Sequence, residues 1–276
     1  MQAGVGNGSI TARRGATDVT RFSKRGEIPY AFARRRLSVV IGDRDDRVLA
    51  CKGAGGSVLS VCTTIKIDGA IRKLTADRRA LEQQRLEAWG RDGQRVIALA
   101  VRSVDAERRC GLEDEADLTL LGYLLFNDPL KPGIAEAVAA LAKNGVSLRI
   151  VSGDNRYVAE HVATAIGLTP RVVVGEDLEG LGNDALTRVI ATANVFAEVT
   201  PDQKERIITA LRRIGHAVGY LGDGINDAPP LRAADIGISV DNAVDAAKAS
   251  ADVILLQRDL LVLLDGIIAG RTAFGN

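Results

Sequence analysis

The stretch that decides the fold is Ala217–Leu231, which reads AVGYLGDGINDAPPL. It opens with an apolar run, Ala217–Leu221, of the kind that forms a short buried strand, and continues into a turn rich in glycine and acid. Glycine lets the backbone turn tightly and approach a ligand, and Asp223 and Asp227 supply hard oxygen ligands that suit Mg²⁺. Asn226 adds a neutral hydrogen-bonding group. The stretch therefore predicts a phosphate and metal site at the end of a strand, with an ordinary acidic loop as the alternative.

The segments around this strand alternate between strand and helix patterns from Leu118 onward. The predicted strands are Leu118–Phe126, Leu148–Val151, Val172–Val174, Val195–Ala197, Val218–Leu221, Ile236–Ile238 and Val253–Leu256. The predicted helices are Ile134–Lys143, Tyr157–Ile166, Ala185–Ala193, Pro201–Arg213 and Leu260–Arg271. Such alternation predicts an α/β fold, a parallel sheet with helices on both faces, and places ligands at the carboxyl ends of the strands.

The first half of the chain follows a different pattern. Two β-rich runs, Leu37–Ile41 and Val48–Cys51, flank a charged tip and predict a hairpin, and Thr75–Gly90 predicts a helix with an apolar side. Residues 1–26 are rich in glycine and lack apolar periodicity, which predicts a flexible leader, with ordered structure beginning near Glu27. We expect a smaller α+β domain in this half.

The length, composition and charge of the chain limit the classes of protein to which it can belong. The 276 residues suffice for one large or two ordinary domains, and 46% hydrophobic residues suffice for real cores. Residues 1–111 hold 22 Lys and Arg against 12 Asp and Glu, whereas residues 112–276 hold 14 against 23. This asymmetry fits one domain that attracts an anion and another that holds a divalent cation. Nucleic acid would account for the basic half alone, but aromatic residues make up only 4% of the chain, so we expect no nucleic-acid partner.

The cysteines and the apolar stretches argue against several other classes of protein. Cys51, Cys62 and Cys110 are odd in number and lack paired spacing, which argues against a disulfide framework or a zinc site. The longest apolar stretches, such as Leu118–Phe126 and Leu260–Leu264, are much shorter than the roughly twenty residues that cross a bilayer. We therefore expect no membrane span and no secretory signal, and a cytoplasmic location for this chain.

Two further segments lie where an α/β fold places site residues. Leu148–Val151 runs into Ser152–Asp154, whose hydroxyl and neighbouring amides can hold a phosphoryl oxygen. Lys204 lies in the first turn of a helix opened by Pro201, where it can neutralise a phosphate. Taken alone, a lysine at such a position is more often a surface residue.

P-type ATPases, members of the haloacid dehalogenase-like superfamily, carry motifs that this chain resembles in order and spacing at Ser152–Asp154, Lys204 and Gly222–Asp227. The resemblance implies ATP-driven cation transport, with ATP and Mg²⁺ as cofactors. It implies metal binding by Asp223 and Asp227 and catalytic roles for Ser152, Gly153, Asp154, Lys204, Asp223, Asn226 and Asp227. Ser152 replaces the usual threonine but keeps its hydroxyl. Glu198 stands where a positive residue is common, and Pro230 replaces the usual alanine, so the geometry there is less certain.

The first half resembles the nucleotide domain of the same family. Glu27–Val40 is similar to its adenine-binding strand, and Cys51–Ala54 is similar to its Lys-Gly-Ala motif. The resemblance implies nucleotide contacts for Phe32, Arg34, Lys52, Gly53 and Arg95. Phe32 offers a stacking face, the cations suit phosphates, and the glycine allows close approach. Without the resemblance, Phe32 is more often a core residue and the arginines a solvated face.

The resemblance also implies the domain boundaries, and it implies a phosphorylated motif that this sequence does not contain. Asp128–Pro132 resembles the hinge between the two domains, which implies a leader at 1–26, a partial nucleotide-binding domain at 27–127 and a phosphorylation domain at 128–276. The family's phosphorylated motif, Asp-Lys-Thr-Gly-Thr, does not occur in these 276 residues. We expect the last domain to lack its first strand and nucleophile, and the chain alone to be inactive.

The final stretch, Gly237–Leu260, is similar to bacterial magnesium-transporting P-type ATPases more than to heavy-metal or calcium pumps. The implied partners are ATP and the missing transmembrane and actuator portions of a cation pump. The full-length relative is expected in the plasma membrane.

Two alternatives stay open. The apolar run Ser38–Ile41, followed by Gly42, Asp43 and Asp45, has the outline of a haloacid dehalogenase-like phosphatase nucleophile, with residues 47–125 as a cap. Against it, Gly42 intervenes after the strand, and Arg47 occupies a position where such sites place a small residue. The other alternative is a non-catalytic nucleotide-binding regulatory module.

Overall fold

The computed structural model of the chain describes residues 2–5, 8–11, 23–42, 46–105, 110–257 and 259–275. The chain divides into two compact units, Met1–Asp128 and Pro129–Asn276. None of the helices within the described ranges is long and apolar enough to cross a bilayer.

The first unit is built on a seven-stranded sheet. A hairpin of β1 (Gln2–Val5) and β2 (Gly8–Thr11) comes first in the chain. The sheet strands are β3 (Ser23–Ala31), β4 (Arg36–Gly42), β5 (Arg47–Ala54), β6 (Cys62–Ile67), β7 (Ala70–Lys73), β8 (Gln94–Val104) and β9 (Leu118–Asn127). Their spatial order is β3-β4-β5-β8-β9-β6-β7, and every pair is antiparallel except β6 with β9.

Two helices cover the buried face of this sheet, α1 (Gly55–Ser60) and α2 (Ala76–Arg91). Thr75 caps α2, because its side chain accepts a hydrogen bond from the backbone of Arg78. The core between helices and sheet includes Leu49, Cys51 and Ala98. The unit is therefore a helix layer on one face of a mostly antiparallel sheet.

The structure differs from the sequence predictions for this unit at several points. β3 begins at Ser23, before the predicted start near Glu27, and β1 and β2 pair within the predicted leader, while residues 12–22 lie outside the described ranges. The grouping of Leu118–Phe126 with the parallel strands of the second half is wrong, because β9 belongs to the seven-stranded sheet of the first unit, where it pairs antiparallel with β8 and parallel with β6. The sequence patterns did not predict α1, β6, β7 or β8.

The second unit contains six short parallel strands and seven helices within the described residues. The strands are β10 (Ile150–Val151), β11 (Val172–Val174), β12 (Val195–Ala197), β13 (Gly219–Leu221), β14 (Ile236–Val240) and β15 (Val253–Leu255). The helices are α3 (Ile134–Lys143), α4 (Arg156–Ala165), α5 (Asn183–Thr192), α6 (Pro201–Arg213), α7 (Ala228–Ala233), α8 (Asp245–Lys248) and α9 (Leu260–Gly275). The strands pair in the orders β10-β12-β11 and β13-β14-β15, so the parallel part consists of two three-stranded sheets.

Both parallel sheets contribute to one hydrophobic core. Phe196 on β12 and Tyr220 on β13 belong to the same cluster as Ile207 on α6. A smaller cluster places α4, through Ala163, against Val195. The mixed α/β architecture with parallel strands and packed helices is confirmed, and it directs the carboxyl ends of the strands toward the segments that carry the predicted site.

Candidate functional site

Helix α6 positions Lys204. The helix begins with Pro201, whose fixed φ suits the first helical position, and Thr200 precedes it as the cap. The Thr200 hydroxyl accepts from the Gln203 amide (3.3 Å), and the Gln203 side chain accepts from the Thr200 amide (2.9 Å), which forms a capping box. These bonds hold the first turn, and Lys204 projects from it.

Lys204 forms an ion pair with Asp227. Its Nζ lies 2.7 Å from Asp227 Oδ1, and the two side chains are only 13% and 12% exposed. The same oxygen accepts the Tyr220 hydroxyl at 2.8 Å, and Asp227 Oδ2 accepts the Gly224 amide at 3.1 Å. A buried carboxylate thus has donors on both oxygens, which makes this a rigid group rather than a loose surface pair.

The pKa values of this group follow from burial and charge. Burial alone would raise the pKa of Asp227, but the hydrogen bond and charge of Lys204, helped by Tyr220 and Gly224, hold that pKa below its ordinary value. Burial, then the negative charge of Asp227, raise the pKa of the Tyr220 phenol. Asp227 is therefore ionised and Tyr220 is neutral at pH 7.

Gly222 makes room for the Asp227 side chain. A Cβ added at Gly222 would lie 2.5 Å from the Cβ of Asp227 and 3.0 Å from the Tyr220 ring. The glycine in this turn is thus required by the carboxylate that folds back over it. The sequence pattern predicts a tight turn and close approach to a ligand at these glycines, and it does not reveal the packing of Asp227 against Gly222.

Ser152–Asp154 forms a second polar group after β10. The Ser152 hydroxyl bonds to Asp154 Oδ2 (2.9 Å) and accepts from the Asp154 amide (3.0 Å). The backbone ties this loop to the β12–α6 connection, since the Val199 amide donates to the Ser152 carbonyl (3.2 Å) and the Glu198 amide to the Asp154 carbonyl (2.9 Å). This places the loop beside the segment that leads into Lys204.

Glu198 occupies a position where the family that this chain resembles commonly has a positively charged residue. Its φ of 57° lies in the left-handed region, which is uncommon for a side chain other than glycine. Its carboxylate accepts from the Asn155 amide group (3.3 Å) and from the backbone of Arg156 (3.2 Å), at the start of α4. Glu198 therefore connects the two loops through these hydrogen bonds, with its negative charge at the start of α4.

The remaining predicted residues of this unit lie around these groups. Asp223 is exposed at the end of β13, where its carbonyl accepts from the Val244 amide (3.1 Å). Asn226 is half-buried in the single helical turn Ile225–Asp227, and Gly153 is exposed. The structure thus joins Lys204 to Asp227 directly, and leaves Asp223 open to solvent.

In the first unit, Phe32 is exposed on the turn between β3 and β4. It is 40% exposed and packs edge-on against Tyr30, with ring centroids 5.2 Å apart. Phe32 is therefore not a core residue, which is the role that the sequence alone favoured, and its ring is accessible for stacking. Tyr30 beside it is 49% exposed.

Lys52 and Arg95 lie on the same face of the sheet. Lys52 pairs with Leu99 across β5 and β8, and Arg95 is four residues away along β8, so the strand period places both on the face opposite α1 and α2. Both side chains are exposed. This is a suitable place for an anion.

Arg34 and Gly53 have structural roles that the sequence did not predict. Arg34 donates to the buried carboxylate of Glu115 and to the Pro29 carbonyl (2.8 Å), so its charge is compensated within the fold. A Cβ at Gly53 would lie 2.4 Å from the Arg35 carbonyl. The space over Gly53 is filled by the protein's own backbone.

Comparison with known proteins gives these groups a context. The family model for a haloacid dehalogenase-like hydrolase matches residues 63–235, which include β10, β12, α6 and the Asp227 turn. The chain belongs to the haloacid dehalogenase-like hydrolase family.

Curated relatives of this family member are cation pumps. Over 93% of its length, the chain is 46% identical to "Magnesium-transporting ATPase, P-type 1" of Salmonella typhimurium and 44% identical to the protein of that name from Escherichia coli. It is 28% identical to "Calcium-transporting ATPase lmo0841" of Listeria monocytogenes over the same share. The chain spans 29% of the length of the magnesium-transporting relatives.

Haloacid dehalogenase-like hydrolases and P-type ATPases generally use Mg²⁺, so we tested the donor set against that ion. Among the described residues, no three His, Cys, Asp or Glu side chains converge to hold a metal. Asp227 is occupied by Lys204 and Tyr220, whereas Asp223 is exposed. Mg²⁺ is commonly bound by one or two carboxylates completed by water and phosphate oxygens. The residues therefore fit Mg²⁺ when a phosphoryl group supplies further ligands.

Sequence reasoning missed Tyr220 and Glu115. Tyr220 lies in an apolar run and reads as a core aromatic, so only the fold shows its hydroxyl bonded to Asp227. Glu115 lies 81 residues from Arg34 and had no local motif.

Proposed function

We propose that this chain is the nucleotide-binding and phosphorylation part of a P-type cation-transporting ATPase of the magnesium type. It binds ATP and Mg²⁺ and lacks the phosphorylated aspartate, which the other part of such a pump supplies. The observation that carries the proposal is 44–46% identity to magnesium-transporting ATPases over 93% of the chain, against 28–32% to calcium-transporting ones.

The geometry of the second unit supports a phosphoryl-transfer role. Asp227 fixes Lys204 in one position, and a fixed cation is suited to neutralising charge on a transferring phosphoryl group. Asp223 is the exposed carboxylate that would hold Mg²⁺, and the ion would supply positive charge to offset that of a phosphoryl group. The Ser152 hydroxyl and the amides after it would hold another oxygen.

The first unit supports the nucleotide-binding role. Phe32 offers an accessible ring, and Lys52 and Arg95 place cations on one face of the sheet. Stacking and charge together can bind an adenine nucleotide without the acceptor aspartate. Arg34 contributes through the turn that it helps to hold.

The alternative phosphatase nucleophile is not favoured. Asp43 and Asp45 lie outside the described residues, but β4 and β5 on either side of them pair antiparallel, with Gly42 opposite Arg47. β4 is also antiparallel to β3. A nucleophile of this superfamily would lie at the carboxyl end of a parallel strand, and this hairpin does not provide one.

A chimera tests the proposal directly. The chain replaces the matching part of a magnesium-transporting ATPase, and the purified membrane protein is incubated with γ-labelled ATP and quenched with acid. We expect an acid-stable, hydroxylamine-sensitive label that Asp223→Asn abolishes, because the metal ligand is then lost. The exposed Asp202→Asn change in α6 is the matched control and should keep the label. A chimera that is folded and inserted yet unlabelled would contradict the proposal.

A further inference from the structure

The first unit contains a buried carboxylate that binds the turn carrying Phe32. The Glu115 side chain is 0% exposed and accepts from Arg34, from Arg36 Nε (3.0 Å) and from the Ser38 hydroxyl (2.7 Å). These donors come from the β3–β4 turn and the first residues of β4, whereas Glu115 comes from just before β9. The carboxylate of Glu115 thus accepts hydrogen bonds from three side chains of one short segment that is distant in sequence.

Other contacts hold the same turn from a second side. The Ala54 amide donates to the Arg35 carbonyl (2.9 Å), and the Ser57 hydroxyl donates to the Arg34 carbonyl. Gly53 lies so close to Arg35 that any larger residue would collide. Arg35 itself has a φ of 48°, in the left-handed region that side chains other than glycine rarely adopt. A turn with an uncommon backbone conformation needs such surroundings to keep it.

We propose that Glu115 is a positioning residue for nucleotide binding, because it fixes the turn that presents the Phe32 ring. The inference rests on the proposed function, in which Phe32 and Lys52 bind ATP. Without the carboxylate, two arginines lose their buried partner and the turn loses its anchor. An aromatic ring that must first be ordered binds more weakly than one already in place.

The chain offers a matched control in Glu82. This second buried glutamate is 1% exposed and pairs with Arg78 (3.0 Å) and Arg85 (3.1 Å), all on α2. Glu115→Gln and Glu82→Gln therefore remove the same charge from the same kind of environment in the same unit. Only Glu115 touches the Phe32 turn.

The experiment measures ATP affinity and turn accessibility on the full chain. Affinity is measured by calorimetry at a temperature where both variants are folded, as verified by urea unfolding. Trypsin cleavage after Arg34, Arg35 or Arg36 is followed by mass spectrometry without nucleotide. We expect Glu115→Gln to weaken ATP binding by about tenfold, because ordering a mobile aromatic side chain and its turn on binding costs affinity of that order. We expect it to speed cleavage in the turn, and Glu82→Gln to do neither.

Two results would overturn the inference. One is Glu115→Gln with the wild-type affinity and an uncut turn. The other is an equal loss of affinity in both variants, because that would reflect a general loss of stability. If Glu115→Gln does not fold, Ser38→Ala removes a single donor and should show the same pair of effects at a smaller size.

The outcomes also separate this inference from the proposed function. If wild-type chain gives no heat with ATP, the nucleotide-binding proposal fails. The trypsin comparison then still decides whether Glu115 holds the turn, since it needs no ligand.

Discussion

Two aspartates in one motif should differ in how much the same mutation lowers the stability of the protein. Asp227 accepts from Lys204, Tyr220 and Gly224 and is buried, whereas Asp223, four residues earlier, is exposed. We predict that Asp227→Asn destabilises the second unit and that Asp223→Asn leaves its stability almost unchanged in the absence of Mg²⁺. The two variants make the same chemical change at neighbouring positions, so each serves as a control for the other.

The expected magnitude follows from the ion pair. Removing one partner of a buried pair costs about 3–5 kcal/mol, because the other charge stays buried without compensation. Lys204 retains 13% exposure and can reach some water, so we expect about 3 kcal/mol for Asp227→Asn. Asp223→Asn should stay within about 0.5 kcal/mol of the wild type, as is usual for exposed substitutions.

Thermal unfolding followed by far-ultraviolet circular dichroism measures both effects. A loss of about 3 kcal/mol should lower the Tm of a unit of this size by roughly 6–12 °C. Lys204→Met combined with Asp227→Asn should be less destabilised than the sum of the single variants, because the double variant leaves no buried unpaired charge. Equal Tm values for Asp227→Asn and Asp223→Asn, or additive single effects, would refute the reasoning.

Further predictions concern the same groups. Because the folded-state pKa of Asp227 lies below its ordinary 3.8, the stability difference between wild type and Asp227→Asn should be complete near neutral pH and should shrink as the pH falls below about 4 in urea titrations. Gly222→Ala should cost about 1–3 kcal/mol in the same titrations, since its Cβ would lie 2.5 Å from Asp227, whereas Gly219→Ala, with its nearest neighbour at 3.6 Å, should cost less. The chain alone should form no phosphoenzyme and hydrolyse no small phosphoester above background; turnover abolished by Asp43→Asn would show that the phosphatase reading is right.

Local sequence patterns predicted the second unit well. The helix predicted at Pro201–Arg213, opened by a proline, is observed as α6 with those bounds. β11, β12 and α3 also have the predicted ends. These elements are short and bounded by turn residues, so the local sequence alone indicates where each element begins and ends.

Contacts between distant residues could not be predicted in this way. The Arg34 to Glu115 contact joins residues 81 apart, and it changes Arg34 from an expected phosphate ligand into a partner of a buried carboxylate. Likewise, Lys204 and Asp227 were each expected near a phosphate, but their 2.7 Å ion pair depends on how α6 packs beside the turn after β13. β9 was grouped with the parallel strands because its sequence is equally apolar in either kind of sheet.

Calorimetric titration of the full chain with ATP and Mg²⁺ tests the central claim most directly. Lys52→Ala is the test variant, and Lys66→Ala, an exposed lysine on β6 of the same unit, is the control. The account predicts measurable binding that weakens with Lys52→Ala and is unchanged with Lys66→Ala. No heat with the wild type, or the same affinity for all three proteins, would contradict it.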